Sequence, residues 1–278
     1  VLDLFEATAD DRYANTDQSL ILRSADPKSV RHFCMLAAGE YQTGFGELLH
    51  SLKTGESAYS KAFGGSVYEY MARTPDAAAI YDRAMDDLAR PVGANLAQMR
   101  DWSGVKLIVD VGGGRGTLLK GLLGVVPHLH GICVDRSDVC ARAADDLKAE
   151  APELGKRLSF VPGDFFGDLP AGGDVYLLKN VLHNWNDASS TKILGSIRRR
   201  MAENRESRLL ILEPLAGDIA PNAYQAMDEL MQMVICEAGT AARTKADMAN
   251  LLEMASFAVV TAEPMPTGHM VIDAILAD

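Results

Sequence analysis

Cysteine is sparse in this chain and carries no pattern. Cys34, Cys133, Cys140 and Cys236 form no CxxC pair and no Cys/His set with zinc spacing. A disulfide-stapled or metal-built fold is therefore excluded. The four thiols read as small buried apolar residues of a protein from a reducing, cytoplasmic compartment. No apolar run approaches the roughly 18 residues needed to span a membrane, and no secretory leader opens the chain. Cations are also in deficit: 27 Lys and Arg face 38 Asp and Glu, a net charge of −11. That balance disfavours a nucleic-acid partner, whose phosphates need clustered Lys and Arg. The densest basic spot, Arg198-Arg199-Arg200, falls near the end of a predicted helix, where cations suit the negative end of the dipole. There is no internal repeat and no low-complexity tract.

What is present is ordinary globular composition, 48% hydrophobic and 23% charged over 278 residues, enough for one large domain and a smaller one. The first residue is Val1, and Val1–Phe5 followed by Arg12–Thr16 reads as strand, polar turn and strand with nothing before it to pack against. This predicts a natural chain that begins further upstream, with residues 1–25 the remnant of a small domain. From Asp26 to about Arg100 the pattern is helical. Asp26-Pro27 resembles a helix cap followed by a first-turn proline, and Val30, Phe33, Cys34 and Ala37 keep helical spacing. Thr54-Gly55, Gly64-Gly65 and Thr74-Pro75 divide the region into several helices.

After Trp102 short apolar runs alternate with amphipathic stretches. Strands are predicted at Lys106–Val111, Gly131–Val134, Leu158–Val161, Val175–Leu178, Leu209–Leu212, Ala258–Thr261 and Met270–Ile275. Helices are predicted at Gly116–Val126, Ser137–Ala149, Ser189–Met201, Tyr224–Cys236 and Lys245–Met254. Such alternation argues for an α/β fold with a mostly parallel, Rossmann-like sheet covered on both faces.

Gly112, Gly114 and Gly116 sit where the first of these strands passes into a helix. A backbone without Cβ can turn sharply there and lie close to a ligand, although a purely structural turn is the competing reading. The dinucleotide fingerprint needs its third glycine at the sixth position, which here is Thr117; Gly116 arrives one residue early. The result is a GxGxG turn suited to a ligand without a pyrophosphate. Asp135, 23 residues beyond Gly112, ends the next strand, where a carboxylate can accept from ribose hydroxyls. Asp164 and Phe165, after the third strand, could bind an adenine amino group and stack on its ring. The fourth strand leads into Lys179, and then His183 and Asn184; Glu213 ends the fifth. A histidine beside a carboxylate has the composition of a general base with its orienting partner.

Taken in order, Asp110–Gly116, Asp135, Gly163–Phe166, Lys179, His183–Asp187, Glu213 and Arg243-Thr244 resemble the small-molecule O-methyltransferases. That class includes plant caffeate and flavonoid enzymes and bacterial antibiotic-tailoring enzymes, phenazine methylators among them. Tyr81–Met85 is similar to that family's substrate-side helix. The resemblance implies a methyltransferase sheet with a reversed last strand, preceded by helices and by the remnant of a winged-helix dimerisation domain. The expected division is 1–25 for that remnant, 26–100 for a helical connector to the substrate pocket and 101–278 for the cofactor domain. S-adenosylmethionine is the implied cofactor, leaving S-adenosylhomocysteine, with no metal. Gly112, Gly114, Asp135, Arg136, Asp164, Phe165 and Lys179 are its expected contacts. His183 would be the base and Glu213 its partner, and Met85, Met233 and Asn184 would face an aromatic small molecule. A homodimer is implied, with no nucleic acid or membrane as partner. One position departs from the family: the second glutamate usual before the Arg-Thr pair is Ala242. Two alternatives stay open at this point, a relative that keeps the cofactor but does other chemistry, and a non-catalytic winged-helix regulator. His128, His130 and His269 lie outside the matching segments and receive no role.

Overall fold

The strand-forming runs after Trp102 assemble into one sheet, and the helical first third of the chain docks beside it. The structure is a computed structural model and describes residues 3–217 and 223–277. Strands β1 (Phe5–Ala7) and β2 (Tyr13–Asn15) pair antiparallel as a separate ribbon. Val1 and Leu2, part of the first expected strand, lie outside the described residues. Eight helices follow: α1 (Asp17–Leu20), α2 (Arg31–Leu36), α3 (Gln42–Phe45), α4 (Leu48–Thr54), α5 (Ala58–Phe63), α6 (Val67–Arg73), α7 (Pro75–Ala89) and α8 (Val92–Met99).

The expected cap at Asp26 is corrected. The Asp26 carboxylate accepts from the Lys28 N–H at 2.8 Å, closing a local turn, and the helix starts only at Arg31. Asp-Pro satisfies a turn as readily as a helix start, because the carboxylate serves the backbone two residues on in either setting. A π-helical turn, Ala37–Tyr41, carries α2 into α3. Gly55 and Gly64 close α4 and α5 in the left-handed region, and Pro75 opens α7, so these breakers act where expected.

The sheet comprises β3 (Leu107–Val111), β4 (His130–Asp135), β5 (Leu158–Pro162), β6 (Val175–Lys179), β7 (Arg208–Glu213), β8 (Phe257–Pro264) and β9 (Met270–Leu276). Their spatial order is β5-β4-β3-β6-β7-β9-β8, parallel throughout except that β9 runs antiparallel to β7 and β8. The last strand is thus reversed, as the resemblance implies. Helices α9 (Thr117–Val125), α10 (Ser137–Glu150), α11 (Asp187–Met201), α12 (Ala223–Ile235) and α13 (Lys245–Met254) complete the chain. From β3 the chain winds outward through β4 to β5, then returns to the other side of β3 as β6. The carboxyl ends of β3 and β6 therefore diverge at a switch point, the place where such sheets leave a crevice.

Alternation along the strands builds two cores. Val109, Val111, Tyr176, Leu178 and Ile211 face Ile193 and Ile197 of α11. Ile108, Leu177, Leu210 and Leu212 face the other way, towards Leu119 and Leu122 of α9 and Leu96 of α8. Each fully buried aliphatic side chain contributes about 1.5–3 kcal/mol. A third cluster, around Leu36, Tyr59 and Met71, holds the N-terminal helices together with Val234 of α12.

Helices α8 and α9 approach closely at Gly93, where an added Cβ would lie 2.1 Å from the Leu118 carbonyl oxygen. Gly93→Ala is expected to destabilise the fold by about 1–3 kcal/mol, because inserted volume must force these backbones apart. A lower denaturant midpoint with an unchanged slope would show it; a wild-type midpoint would mean that the crossing yields freely. Helix α7 is fastened to the sheet domain by charge. Asp82 accepts from Arg142 of α10 at 2.6 Å, and Asp86 binds Arg115 at 2.7 Å and also Thr117. Arg115 reaches Asp146 of α10 as well.

The thiols do not all follow expectation. Cys133 and Cys140 are buried, but Cys34 is exposed and Cys236 half-buried. Phe33, on the same predicted stripe of α2, packs on the helical cluster, while Cys34 beside it points outward.

Candidate active site

The glycine turn leaves β3 through Gly112, Gly114 and Gly116, all with positive φ, and Gly116 is the N-cap of α9. Its two sides differ. A Cβ at Gly113 would strike Asp110 and Cys133 within 2.7 Å, so that side is packed. A Cβ at Gly114 would meet nothing within 4 Å, so the turn's open side faces the crevice. Asp135, at the end of β4, accepts from the Gly114 N–H at 2.8 Å and, through its other oxygen, from the Arg136 N–H at 2.8 Å. Burial pushes its pKa up, while those two N–H groups pull it back. Each oxygen keeps a lone pair for a further donor. Arg136 itself turns to Asp138, at 3.2 Å. Asp110 is buried beneath the turn, and burial raises it to about 7 against the pull of Lys179.

Lys179 ends β6 across the crevice. Burial pushes its ammonium down to about 8, and Glu213, Asp110 and Asp86 hold it from falling further. Phe165 comes within 3.7 Å of a Cβ placed on Gly112 and meets Phe166 and Trp185 edge-on. Trp185 in turn stacks on Tyr68, with ring centres 5.7 Å apart and planes 10° from parallel. Asp164 is exposed, and its carboxylate accepts from the Phe166 N–H at 2.9 Å, closing its own turn.

Beyond β6 the chain turns through Asn180, whose φ of 54° is left-handed, a conformation asparagine tolerates. A single 3₁₀ turn, Leu182–Asn184, follows and carries His183. Three groups hold this turn. Glu213 Oε1, at the end of the adjacent β7, accepts from the Val181 and Leu182 N–H groups at 2.9 and 2.8 Å. The Arg243 guanidinium donates to the Leu182 and Trp185 carbonyls at 2.8 and 2.7 Å and to Asp187 at 2.8 Å. His269 Nε2 lies 3.0 Å from Asn180 Oδ1. His183 Nδ1 is then 3.3 Å from Glu213 Oε2. The two atoms approach at an angle outside hydrogen-bond geometry, and both are buried. Burial pushes His183 down to about 3, with Lys179, His269 and Arg243 adding to the fall. Burial pushes Glu213 up to about 7. The imidazole is therefore neutral across the physiological range, the state in which it can accept a proton.

This burial has a sign in stability. The unfolded histidine takes up a proton below about pH 6.5, whereas folded His183 does not until near 3. Its contribution to stability is thus lost progressively as the pH falls through that window. His183→Gln removes this penalty, so its melting temperature relative to wild type is expected to rise between pH 7.5 and pH 5. A constant difference across that range would show that His183 titrates normally in the fold.

A cavity of about 750 Å³ opens beside this turn, walled by Tyr41, Tyr68, Tyr81, Asn184, Trp185 and Cys236 among others. Burial raises the pKa of the three tyrosines, leaving their hydroxyls protonated. Of the three expected substrate contacts, Asn184 lines this cavity and Met85 and Met233 do not. Met85 packs on the helical cluster, and the Met233 carbonyl accepts from Ser51 Oγ at 3.4 Å. Sequence reading also missed the tyrosine wall, Asn180 and His269. The signal available was the helical face of Tyr81, which sits four residues before Met85 within the motif already noted.

Comparison with known proteins matches residues 45–258 to the O-methyltransferase domain. The chain belongs to the O-methyltransferase family. It is 35% identical over 264 residues to the 3-amino-4-hydroxybenzoate 4-O-methyltransferase of Streptomyces cremeus, covering 93% of this chain and 70% of that protein. It is 32% identical to the phenazine O-methyltransferase PhzM of Lysobacter antibioticus, over 98% of this chain and 78% of the relative. A crystal structure of the neocarzinostatin O-methyltransferase superposes with a TM-score of 0.83 at 29% identity, covering 98% of this chain and 81% of that one. That structure holds S-adenosylmethionine and 2-hydroxy-5-methyl naphthoic acid.

This O-methyltransferase is an S-adenosylmethionine-dependent enzyme, and its crevice fits that cofactor. The open side of the turn at Gly114 leaves room, and Asp135 has free lone pairs for a ribose diol. Among the described residues no cluster of His, Cys, Asp or Glu could hold a metal, and no helix is long and apolar enough to cross a membrane.

Proposed function

We propose that this O-methyltransferase methylates a hydroxyl of an aromatic secondary metabolite of phenol or phenazine type, with His183 as general base. The observation that carries the reading is the His183–Glu213 pair at 3.3 Å, at the ends of adjacent strands, with the two residues that follow His183, Asn184 and Trp185, lining the large cavity. A cavity near 750 Å³ has the size of a multi-ring ligand site, and its tyrosine and tryptophan rings offer flat faces.

Bound S-adenosylmethionine supplies an electrophilic methyl group on sulfonium sulfur. Gly112, Gly114, Asp135 and Lys179 would hold it, with Arg136, Asp164 and Phe165 at the adenosine end. An aromatic hydroxyl with a pKa near 10 is mostly protonated at neutral pH. His183 Nε2 would take its proton as the O–CH3 bond forms and the S–CH3 bond breaks. Glu213 would stabilise the resulting imidazolium, and Asn184 would contact the acceptor. Met85 and Met233 would act by backing the wall rather than by touching the ring. Arg243 would keep the histidine turn rigid.

The ribbon, helical connector and sheet support the division at 1–25, 26–100 and 101–278, with the ribbon as the end of a winged-helix dimerisation domain. Exposed Phe5, Tyr13, Leu49, Leu52 and Met227 supply apolar surface for a homodimer. Four free thiols support a reducing, cytoplasmic setting.

The test is incubation with S-adenosylmethionine and a panel of phenols, naphthols and phenazines, read by mass spectrometry. Gain of one methyl on an acceptor hydroxyl is the expected product. Cofactor binding by calorimetry without methyl transfer to any acceptor would overturn the reading in favour of a non-methylating relative.

A further inference from the structure

Behind the imidazole lies a second cavity, of about 10 Å³, whose wall includes His183, Glu213, Gln232, Ala241 and Arg243. That volume is the room of a single water molecule. Three buried side-chain atoms on residues of this wall have no hydrogen-bond partner among the described residues: His183 Nδ1, Glu213 Oε2 and Gln232 Oε1. Buried polar atoms are rarely left unpaired, so three around one small cavity require an explanation. Ala241 ends at its Cβ, and Ala242 stands next to it where the family places a glutamate, so no side chain from this segment fills the space.

We infer that this cavity is a site for one water molecule bridging His183, Glu213 and Gln232, and that Gln232 is a positioning residue acting through it. The donor and acceptor count closes. Gln232 Nε2 donates to Asp228 Oδ2 at 3.1 Å, which leaves the amide oxygen, an acceptor, for the cavity. Glu213 Oε1 is occupied by two backbone N–H groups, which leaves Oε2. A water has two protons to give, one to each of these oxygens, and accepts one from Nδ1–H of His183. With Glu213 ionised, only the tautomer carrying its proton on Nδ1 satisfies this set, and that tautomer presents a bare Nε2 to the acceptor. The water and Gln232 thus perform, at one remove, the orientation that a second glutamate gives in the family. The inference rests on the proposed role of His183 as base.

The experiment uses the whole enzyme saturated with S-adenosylhomocysteine, with 15N-labelled histidine read by NMR, alongside steady-state kinetics. Wild type is expected to show His183 as the single Nδ1–H tautomer. Gln232→Leu is expected to mix the tautomers and lower kcat by about tenfold at unchanged KM for the cofactor. The pair of substitutions Gln232→Glu and Asp228→Asn keeps an acceptor at the cavity and supplies a donor to the new carboxylate in place of the lost amide contact, and is expected to restore the single tautomer. Should Gln232→Leu fail to fold, Ala241→Leu extends a side chain from another residue lining the same space and is expected to mix the tautomers too. A wild-type tautomer and kcat in the leucine variants would overturn the inference. If His183→Ala instead keeps full turnover, the base reading fails, while the tautomer still decides whether the water site exists.

Discussion

Replacing His183 with alanine is expected to lower kcat by about 10²–10⁴-fold while leaving the affinity for S-adenosylhomocysteine nearly unchanged. The size follows from what the residue does. Without a base the acceptor hydroxyl must lose its proton to water, and at neutral pH only a small fraction of a phenol is ionised. The cofactor's expected contacts, Gly112, Gly114 and Asp135, lie at the ends of β3 and β4, while His183 follows β6. Product-binding calorimetry and turnover should therefore separate. The loss should shrink with acceptors of lower pKa, and should be recovered in part at alkaline pH, where the acceptor ionises unaided. A variant with wild-type turnover on a weakly acidic phenol would remove the histidine from the mechanism and leave proximity as the source of rate.

The second large effect concerns Asp135. Its carboxylate accepts from the Gly114 N–H at 2.8 Å and thereby shapes the very turn that the cofactor meets. Asp135→Ala removes that support together with the acceptor for the ribose hydroxyls. Hydrogen bonds to a charged group are worth about 1.5–3 kcal/mol each, so losing two weakens cofactor binding about a hundredfold or more. Calorimetry with S-adenosylmethionine measures this directly. Asp135→Asn should fall almost as far, because one of its two positions becomes a donor facing a backbone N–H or a hydroxyl already committed to donating. A dissociation constant within about threefold of wild type would show that the ribose is held elsewhere.

The contrast between these two sites explains what could be read from sequence. The strand ends were legible because a glycine turn, Asp135, Lys179 and Glu213 each follow an apolar run, and a parallel sheet brings all carboxyl ends to one edge. Period and punctuation located the strands and helices of the sheet domain to within a few residues. The start of α2 was misplaced because Asp26-Pro27 serves a turn as well as a cap, and only the tertiary contacts of α2 decide between them. Cys34 kept helical spacing yet faces outward, since periodicity marks a face without saying whether anything covers it. His269 and Gln232 were invisible for a different reason. His269 meets Asn180 across 89 residues, a contact set by β9 folding back antiparallel beside β7. Gln232 matters only through a space defined by α12 and the segment before α13. Met85 and Met233 had the right chemistry for a pocket, but neither lines the cavity, and Met85 packs on the helical cluster instead.

The fastening of α7 has a consequence for how such enzymes diversify. That helix contributes Tyr81 to the cavity wall, yet it is tied to the sheet domain by Asp82 and Asp86 on Arg142, Arg115 and Thr117. Asp82 and Asp86 are not among the residues that line the cavity. The residues that hold the wall in place are therefore different from those that shape its inner surface. Mutations at Tyr81 and its neighbours can remould the recognised ring system without loosening the mount. A lineage could exchange one natural product for another while the machinery of transfer is inherited intact.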